Sequence, residues 1–200
     1  MSKQYVILGL GNPGKQYAFT RHNLGYLIVQ RLAELQGCQF KEDKQIHALV
    51  AKSKEGETTL HYLLPLTYMN ESGRALRAYL DFYKLASGDV IVVSDDVALP
   101  YGEMRIREAG SSGGHNGLKS VQKHLATQNY VRLRMGIGEK ERKGELADYV
   151  LEPFSSEEMQ NLPLYIDKGV NTLKHLIIEG ISKSMNVINI KHTSKDELIL

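Results

Sequence analysis

The sequence predicts a single α/β domain in which a mixed, mostly parallel sheet carries helices on both faces. Short apolar segments typical of buried strands alternate along the chain with segments whose apolar residues recur every three or four positions, as in helices. Two strand-like segments flank a short turn early in the chain, which indicates one antiparallel hairpin. The length of 200 residues suits one domain, and no linker or internal repeat divides it.

The first strand is predicted over residues 5–8, a short apolar run, and a glycine-rich loop follows it over residues 9–25. The loop contains Gly9-x-Gly11-x-x-Gly14, which matches the dinucleotide-binding pattern. In that motif the glycines open a helix, but here the next helical stripe begins near Asn23. This offset argues against a nucleotide-dependent oxidoreductase.

The middle of the chain predicts a hairpin, a helix and a central strand. The hairpin strands cover residues 45–53 and 59–64 around a charged turn. A helix with its apolar stripe from Leu76 to Tyr83 follows, and Gly88 is expected to close it. The continuous apolar run 90–93 is typical of a strand buried on both faces, and it leads into Asp95 and Asp96.

The second half predicts a short strand over 104–107 and a glycine-rich loop over 110–117 that enters a helix. Residues 131–137 alternate apolar side chains with Arg132 and Arg134, which indicates a strand with one polar face. A helix with an apolar stripe from Ile166 to Ile177 comes next. Residues 182–200 show no clear pattern, so a poorly ordered tail is expected there.

The net charge of +2 conceals an uneven distribution. Residues 103–143 carry nine Lys and Arg against four Asp and Glu, whereas residues 144–200 carry five against nine. The central block indicates a local anionic partner, with a solvated basic face as the alternative. One cysteine, Cys38, rules out an internal disulfide. No apolar run has the length of a signal peptide core or a membrane span, so a cytoplasmic protein is expected.

Unusual polar groups follow four of the predicted strands, on the loops where α/β proteins place their sites. They are Asn12, Tyr17 and His22; Tyr68, Met69 and Asn70; Asp95 and Asp96; and His115 with Asn116. Helix capping is an alternative for Asn70 and the two aspartates, and core packing is one for Met69.

This set of side chains favours one kind of chemistry. It lacks the spacing of a zinc site and the Gly-x-Ser-x-Gly elbow of a serine hydrolase, so no metal or cofactor is predicted. A histidine, a carboxylate that orients it and several amides suit attack by a histidine-activated water on a polarised carbonyl. The predicted reaction is ester hydrolysis, with the basic block beside it suited to a nucleic-acid substrate.

Five segments in the same order resemble bacterial-type peptidyl-tRNA hydrolase over nearly the whole chain. They read GLGNPGKQYAFTRHNLG, PLTYMNESG, VSDDVALPYGEMRIREAGSSGGHNGLKS, YVRLRMGIG and DYVLEPF. The resemblance implies one catalytic domain over residues 1–200 with a twisted mixed sheet. It also implies a monomeric, cofactor-free enzyme that cleaves the ester between a peptide and the tRNA 3′ ribose, which recycles tRNA from aborted translation.

The resemblance also implies roles by position. His22 would be the general base, Asp95 would hold its imidazole in the basic form, and Asn12 would contact the substrate near the ester. The peptide and the tRNA end would be bound by Tyr17, Tyr68, Asn70 and Asn116. Met69 would line the peptide channel, His115 would support its loop, and Arg134 and Lys143 would meet the tRNA backbone.

Two departures from the family pattern bear on these roles. Ala98 stands where the family often has aspartate, which leaves Asp95 favoured over Asp96 as the partner of His22. Glu139-Lys140 replaces a frequent proline and leaves the placement of Lys143 open. A non-catalytic module that binds the tRNA 3′ end is the alternative function, and the intact set of His22, Asn12 and Asp95 argues against it.

Overall fold

The computed structural model of the protein describes residues 3–138 and 146–190, and within them seven strands form one sheet in the order β2-β3-β4-β1-β5-β7-β6. The strands are β1 (Lys3–Gly9), β2 (Lys41–Asp43), β3 (Ala48–Glu55), β4 (Thr58–Pro65), β5 (Val90–Asp96), β6 (Met104–Ala109) and β7 (Asn129–Gly136). The central strands β4, β1, β5 and β7 are parallel to one another, and the outer strands pair antiparallel. The predicted mixed sheet with a parallel centre is confirmed, and β2 is an addition to it.

Helices cover both faces of the sheet, as predicted. They are α1 (Leu24–Leu35), α2 (Ser72–Tyr83), α3 (Asn116–Leu125), α4 (Leu146–Leu151), α5 (Ser156–Glu179) and α6 (Ile181–Ile188). One apolar cluster joins the sheet to α1 and α5 through residues such as Ile28 and Leu173. A second cluster, with Leu76 and Val121, joins the other face to α2 and α3. None of the described helices combines the length and apolar character that crossing a membrane requires.

Two predictions about where elements end are wrong: the end of the second helix at Gly88 and the start of a poorly ordered tail at residue 182. Helix α2 ends at Tyr83, where Lys84 adopts the left-handed conformation with φ 54°, so Gly88 does not close it. Part of the expected tail forms α6, because the Asn189 side chain pairs with both main-chain groups of Ile106 on β6 at 2.8 and 2.9 Å. Residues 191–200 of that expected tail lie outside the described residues.

The predicted polar face of β7 is also wrong at Arg132, whose residue surface is only 2% exposed. Its guanidinium donates to the carbonyl oxygens of Ser111 and Gln128 and stacks 4.3 Å from the ring centre of Tyr130. Carbonyl oxygens and an aromatic face replace water around the charge, which is how an arginine can be buried.

A close approach of α1 to the sheet determines where the polar loops meet. A Cβ on Gly25 would lie 2.7 Å from the Leu10 nitrogen, and one on Gly9 would lie 2.7 Å from the Gly25 carbonyl oxygen. These distances are shorter than a carbon atom allows, so only glycines permit the contact. The start of α1 is thereby held against the carboxyl ends of β1 and β5, where the site forms.

Candidate active site

A histidine and an aspartate from two different loops meet at the carboxyl edge of the sheet. His22 lies in a 3₁₀ turn, Arg21–Asn23, immediately before α1, and Asp95 lies near the end of β5. The Nδ1 of His22 is 2.9 and 3.0 Å from the two carboxylate oxygens of Asp95. Both residues are buried. The structure therefore brings the predicted base and its predicted partner into direct contact.

A second imidazole, that of His115, contacts the same carboxylate. Its Nε2 is 2.9 Å from Asp95 Oδ1, and its Nδ1 accepts hydrogen bonds from the main-chain N–H groups of Gly117 and Leu118. His115 is thus the N-cap of α3. Because Nδ1 accepts, the ring proton lies on Nε2, and His115 donates to Asp95.

The two histidines determine the charge state of Asp95. Burial opposes ionisation of the carboxyl group, but the charges and hydrogen bonds of His22 and His115 outweigh it. They hold the pKa of Asp95 well below its ordinary value. Asp95 is therefore an ionised acceptor, and His22 presents its Nδ1–H to it, which leaves Nε2 as the basic nitrogen of His22.

A cavity of about 190 Å³ lies beside this group and is lined by His22, Asp95 and His115. Its other walls come from the end of β5, from the glycine-rich loop before α3, and from Leu146, Ala147 and Val150 of α4. The cavity therefore combines a buried polar centre with an apolar wall, as small-ligand sites do.

Asn12 is fixed by a hydrogen-bond network that includes the residue after His22. The main-chain N–H of Asn12 donates to Asn23 Oδ1, and Asn23 Nδ2 donates to the Asn12 carbonyl, both at 2.9 Å. Asn12 Oδ1 accepts from the main-chain N–H of Met69 at 2.8 Å. The oxygen of the Asn12 amide is thus occupied, and its NH₂ group is the part left to donate to a substrate.

His22, Asp95 and His115 are close enough together to surround a metal ion, with potential ligand atoms within 4.8 Å of one another. The hydrogen bonds do not suit such a site. A metal on His115 Nε2 would displace its proton while Nδ1 still faces two N–H donors, which leaves the ring no nitrogen to carry a proton. The donor set is organised for proton transfer instead.

The sequence profile of the peptidyl-tRNA hydrolase family matches residues 6–197. The chain belongs to this family. The peptidyl-tRNA hydrolase of Cytophaga hutchinsonii is 42% identical over 94% of this chain and 99% of its own. That of Desulfitobacterium hafniense is 44% identical over 92% and 98%. The protein is therefore an enzyme, a hydrolase that acts on peptidyl-tRNA.

Solved structures agree with this assignment. The crystal structure of peptidyl-tRNA hydrolase from Acinetobacter baumannii has a TM-score of 0.86 and 35% identity, with 94% of this chain and 96% of that one covered. A 5′-methylthioadenosine nucleosidase from Arabidopsis thaliana has a TM-score of 0.55 at 9% identity. The second match reflects the fold alone. The α/β architecture is thus shared more widely than the peptidyl-tRNA hydrolase site.

The remaining residues expected to bind substrate in this hydrolase lie at different depths. Asn116 is exposed and lines the cavity, and Tyr68 and Asn70 are exposed. Tyr17 is half-buried, in the 3₁₀ turn Lys15–Tyr17. The Met69 side chain is nearly buried and packs within the second apolar cluster, so its visible contribution to the site is its main-chain N–H.

The charged residues expected to contact tRNA in this hydrolase are only partly described. Arg134 lines the cavity, where it forms an ion pair with Asp96. Asp96 also accepts from the Ala98 main-chain N–H at 3.0 Å, so its carboxylate is occupied away from His22. Arg132 is not a free cation. Lys143 and the Glu139-Lys140 departure lie outside the described residues.

Sequence reasoning gave no role to Asn23 and only a partial one to His115, and both organise the hydrolase site. Asn23 connects the His22 turn to Asn12, and its side chain is diverted from capping α1 to do so. His115 was expected only to support its loop, yet it donates to Asp95. The signal for Asn23 was its place beside His22, which marks the turn but reveals none of its partners.

Proposed function

We propose that the protein hydrolyses the ester between a peptide and the 3′ ribose of tRNA by means of a water activated by His22. The observation that supports this most directly is the contact of His22 Nδ1 with the Asp95 carboxylate beside a cavity that His22 itself lines. This contact leaves Nε2 to take a proton from water. An imidazole held in this way is a common general base.

Asp95 has two tasks in this mechanism. Its carboxylate keeps the proton of neutral His22 on Nδ1, and it stabilises the imidazolium that forms when Nε2 accepts a proton. The depressed pKa of Asp95 means that the carboxylate is already charged when the reaction begins. The hydrogen bond from His115 Nε2 holds that carboxylate in place.

The Asn12 amide supplies a donor to the reacting carbonyl or to the adjacent peptide group. Its oxygen is engaged by Met69 N–H, so its NH₂ group has a defined direction before substrate binds. A donor of this kind favours a blocked, amide-bearing amino acid over a free charged amine. Asn70, in the 3₁₀ turn Met69–Glu71, and Asn116, the first residue of α3, are both exposed and extend the polar surface for the peptide and the 3′ end.

The tRNA is proposed to lie across the carboxyl edge of the sheet. Arg134 lines the cavity, and Lys119 is exposed on α3, whose Asn116 and Leu118 also line it, so these two cations are proposed to meet phosphates near the 3′ end. The exposed ring of Tyr68 offers a stacking surface to an unpaired base. Lys143 is proposed to add to this surface, and the enzyme is proposed to act as a cytoplasmic monomer that returns tRNA from aborted translation.

The proposal is tested by deacylation of N-acetylated and free aminoacyl-tRNA with the purified protein, with and without a chelator. Rapid loss of the acetylated amino acid, little loss of the free one and no effect of the chelator are expected. Equal cleavage of both substrates would contradict the role of Asn12, and inhibition by the chelator would contradict the metal-free mechanism.

The tRNA surface is tested with a short substrate that carries only the ester and one nucleotide. Lys119→Ala and Arg134→Ala should weaken binding of full tRNA and flatten its salt dependence by about one unit or less each. Binding of the short substrate should change little. Lys174→Ala, toward the carboxyl end of α5 and outside the cavity, is the matched control. Equal losses with both substrates would place these cations in the reacting centre or the fold instead.

A further inference from the structure

Arg21 precedes His22 in the chain, and a cation beside the reacting centre of a tRNA hydrolase invites assignment as a phosphate ligand. The contacts of its guanidinium argue otherwise. The side chain is only 8% exposed. Its Nη1 donates to the Pro153 carbonyl and its Nη2 donates to Glu158 Oε2, each at 2.7 Å. The ring of Tyr149 lies 4.4 Å from the guanidinium carbon. Arg21 is therefore committed to the protein.

The partners of Arg21 all belong to one part of the chain, the end of α4 and the start of α5. Main-chain contacts run alongside the guanidinium: Arg21 N–H donates to the Glu152 carbonyl at 3.2 Å, and Thr20 bridges to Pro153. Glu158 Oε2 also accepts from the Ser155 main-chain N–H as part of the cap of α5. One buried side chain thus joins the turn that carries His22 to the junction of two helices.

The helix held in this way is a wall of the reacting centre. Leu146, Ala147 and Val150 of α4 line the same cavity as His22. Tyr149 of the same helix packs under Arg21 and donates its hydroxyl to the Ile137 carbonyl at 2.7 Å. The position of the apolar wall relative to the base therefore depends on Arg21 at one end and on Tyr149 in the middle.

We propose that Arg21 is a positioning residue that fixes the apolar α4 wall relative to His22 and so determines how the acyl portion of the substrate is seated. It acts through α4 and not through contact with tRNA phosphate. The proposal rests on the proposed function only in taking this cavity as the reacting centre. An apolar wall at a fixed distance from the base suits the side chain of the esterified residue.

The test compares Arg21→Lys and Arg21→Met with Arg31→Ala. Arg31 is a matched control because it also joins the α1 region to α5, through Asp167 at 3.1 Å, but with both side chains more than 40% exposed and away from the cavity. Both Arg21 variants should raise KM about tenfold for full acetylated aminoacyl-tRNA and for the short ester alike. The pH midpoint of kcat and the salt dependence of tRNA binding should not change.

Three results would overturn the proposal. A loss confined to full tRNA, with a flatter salt dependence, would make Arg21 a phosphate ligand. Kinetics unchanged beyond those of Arg31→Ala would make it structural only. A lower kcat with a shifted pH midpoint and constant KM would show that it acts on His22.

If Arg21→Met does not fold, Arg21→Lys and Glu158→Gln decide, since each weakens the same ion pair and should raise KM in the same direction. His22→Ala, assayed in parallel, separates the two ideas: full turnover by that variant would refute the proposed function, whatever Arg21 does.

Discussion

His22 and His61 are two buried histidines in the same small domain, 7% and 3% exposed, with opposite surroundings. His22 lies in a turn at the carboxyl edge of the sheet and faces the carboxylate of Asp95. His61 lies inside β4, where Nδ1 is 2.8 Å from the Tyr79 hydroxyl and Nε2 is 3.0 Å from Gln4 Oε1. The two rings are buried to nearly the same extent, so the difference in their chemical environments comes from their hydrogen-bond partners.

The partners determine whether each ring can hold a second proton. Gln4 accepts from Nε2 and the Tyr79 hydroxyl donates to Nδ1, so both nitrogens of His61 are satisfied in the neutral form. Burial, reinforced by the charge of Lys52 and opposed by that of Asp89, lowers the pKa of His61 to about 4. His22 instead has an ionised carboxylate on one nitrogen and a cavity beside its ring. An imidazole is suited to catalysis when a charged partner can stabilise its protonated form.

The largest expected effect separates the two histidines directly. His22→Ala should lower kcat roughly 10²- to 10⁴-fold because it removes the proposed base, whereas His61→Gln should leave kcat near that of the parent enzyme. Steady-state deacylation of acetylated aminoacyl-tRNA measures both, with folding checked by circular dichroism. Near-parental turnover by a folded His22→Ala protein would remove the distinction.

Asp95→Asn should lower kcat by about 10²-fold while KM changes little. The amide carries no charge, so it stabilises the imidazolium of His22 less, and its NH₂ group favours the wrong tautomer of His22. Asp96→Asn is the matched control, because Asp96 is occupied by Ala98 N–H and Arg134. A larger loss of kcat for Asp96→Asn than for Asp95→Asn would show that Asp96, and not Asp95, orients His22.

The neutral state of His61 should appear in the acid stability of the protein. Between pH 6.5 and about 4 the unfolded chain binds a proton that folded His61 does not, so the free energy of unfolding should rise with pH across that window. The expected contribution is about 3 kcal/mol over the window. Urea titrations at several pH values should show a shallower rise in His61→Gln than in the parent. Identical slopes would mean that folded His61 takes up a proton normally.

The smallest expected effect concerns the second imidazole on Asp95. His115→Asn retains a good helix cap but cannot reproduce the ring contact with the carboxylate, so kcat should fall about tenfold with little loss of stability. His115→Ala should show the same kinetic loss and, in addition, lose about 1 kcal/mol of stability. If catalysis followed stability across the two variants, the contact with Asp95 would have no separate role.

The sequence predicts most of the architecture because strand and helix periodicities are local. The pairing of Asp95 with His22 is implied by the resemblance to peptidyl-tRNA hydrolase. The position of both residues at strand ends of a mostly parallel sheet is consistent with it, because such ends share an edge. The burial of Arg132 could not be predicted, because the carbonyls that hold it come from Ser111 and Gln128, one of them distant in sequence. The hydrogen bond from His115 to Asp95 depends on how α3 docks, and no spacing encodes that.

Missed elements have similar causes. Strand β2 has only three residues and a charged sequence, so it exists through pairing with β3 and not through any apolar pattern. Helix α6 is followed by Asn189, whose side chain makes two hydrogen bonds to the main chain of Ile106 on the free side of the edge strand β6. In both cases the deciding contacts are between segments, where single-segment patterns carry no information.

The contact between Gly25 and the sheet has a consequence for anyone who wishes to transplant or redesign this centre. The position of His22 depends on how closely the start of α1 packs against β1 and β5. That close packing is possible only while residues 9 and 25 lack side chains. Adding a single methyl group at position 25, usually a stabilising change within a helix, would lift the helix start and the imidazole with it. A graft of this chemistry onto another scaffold must therefore carry two glycines that do not line the cavity.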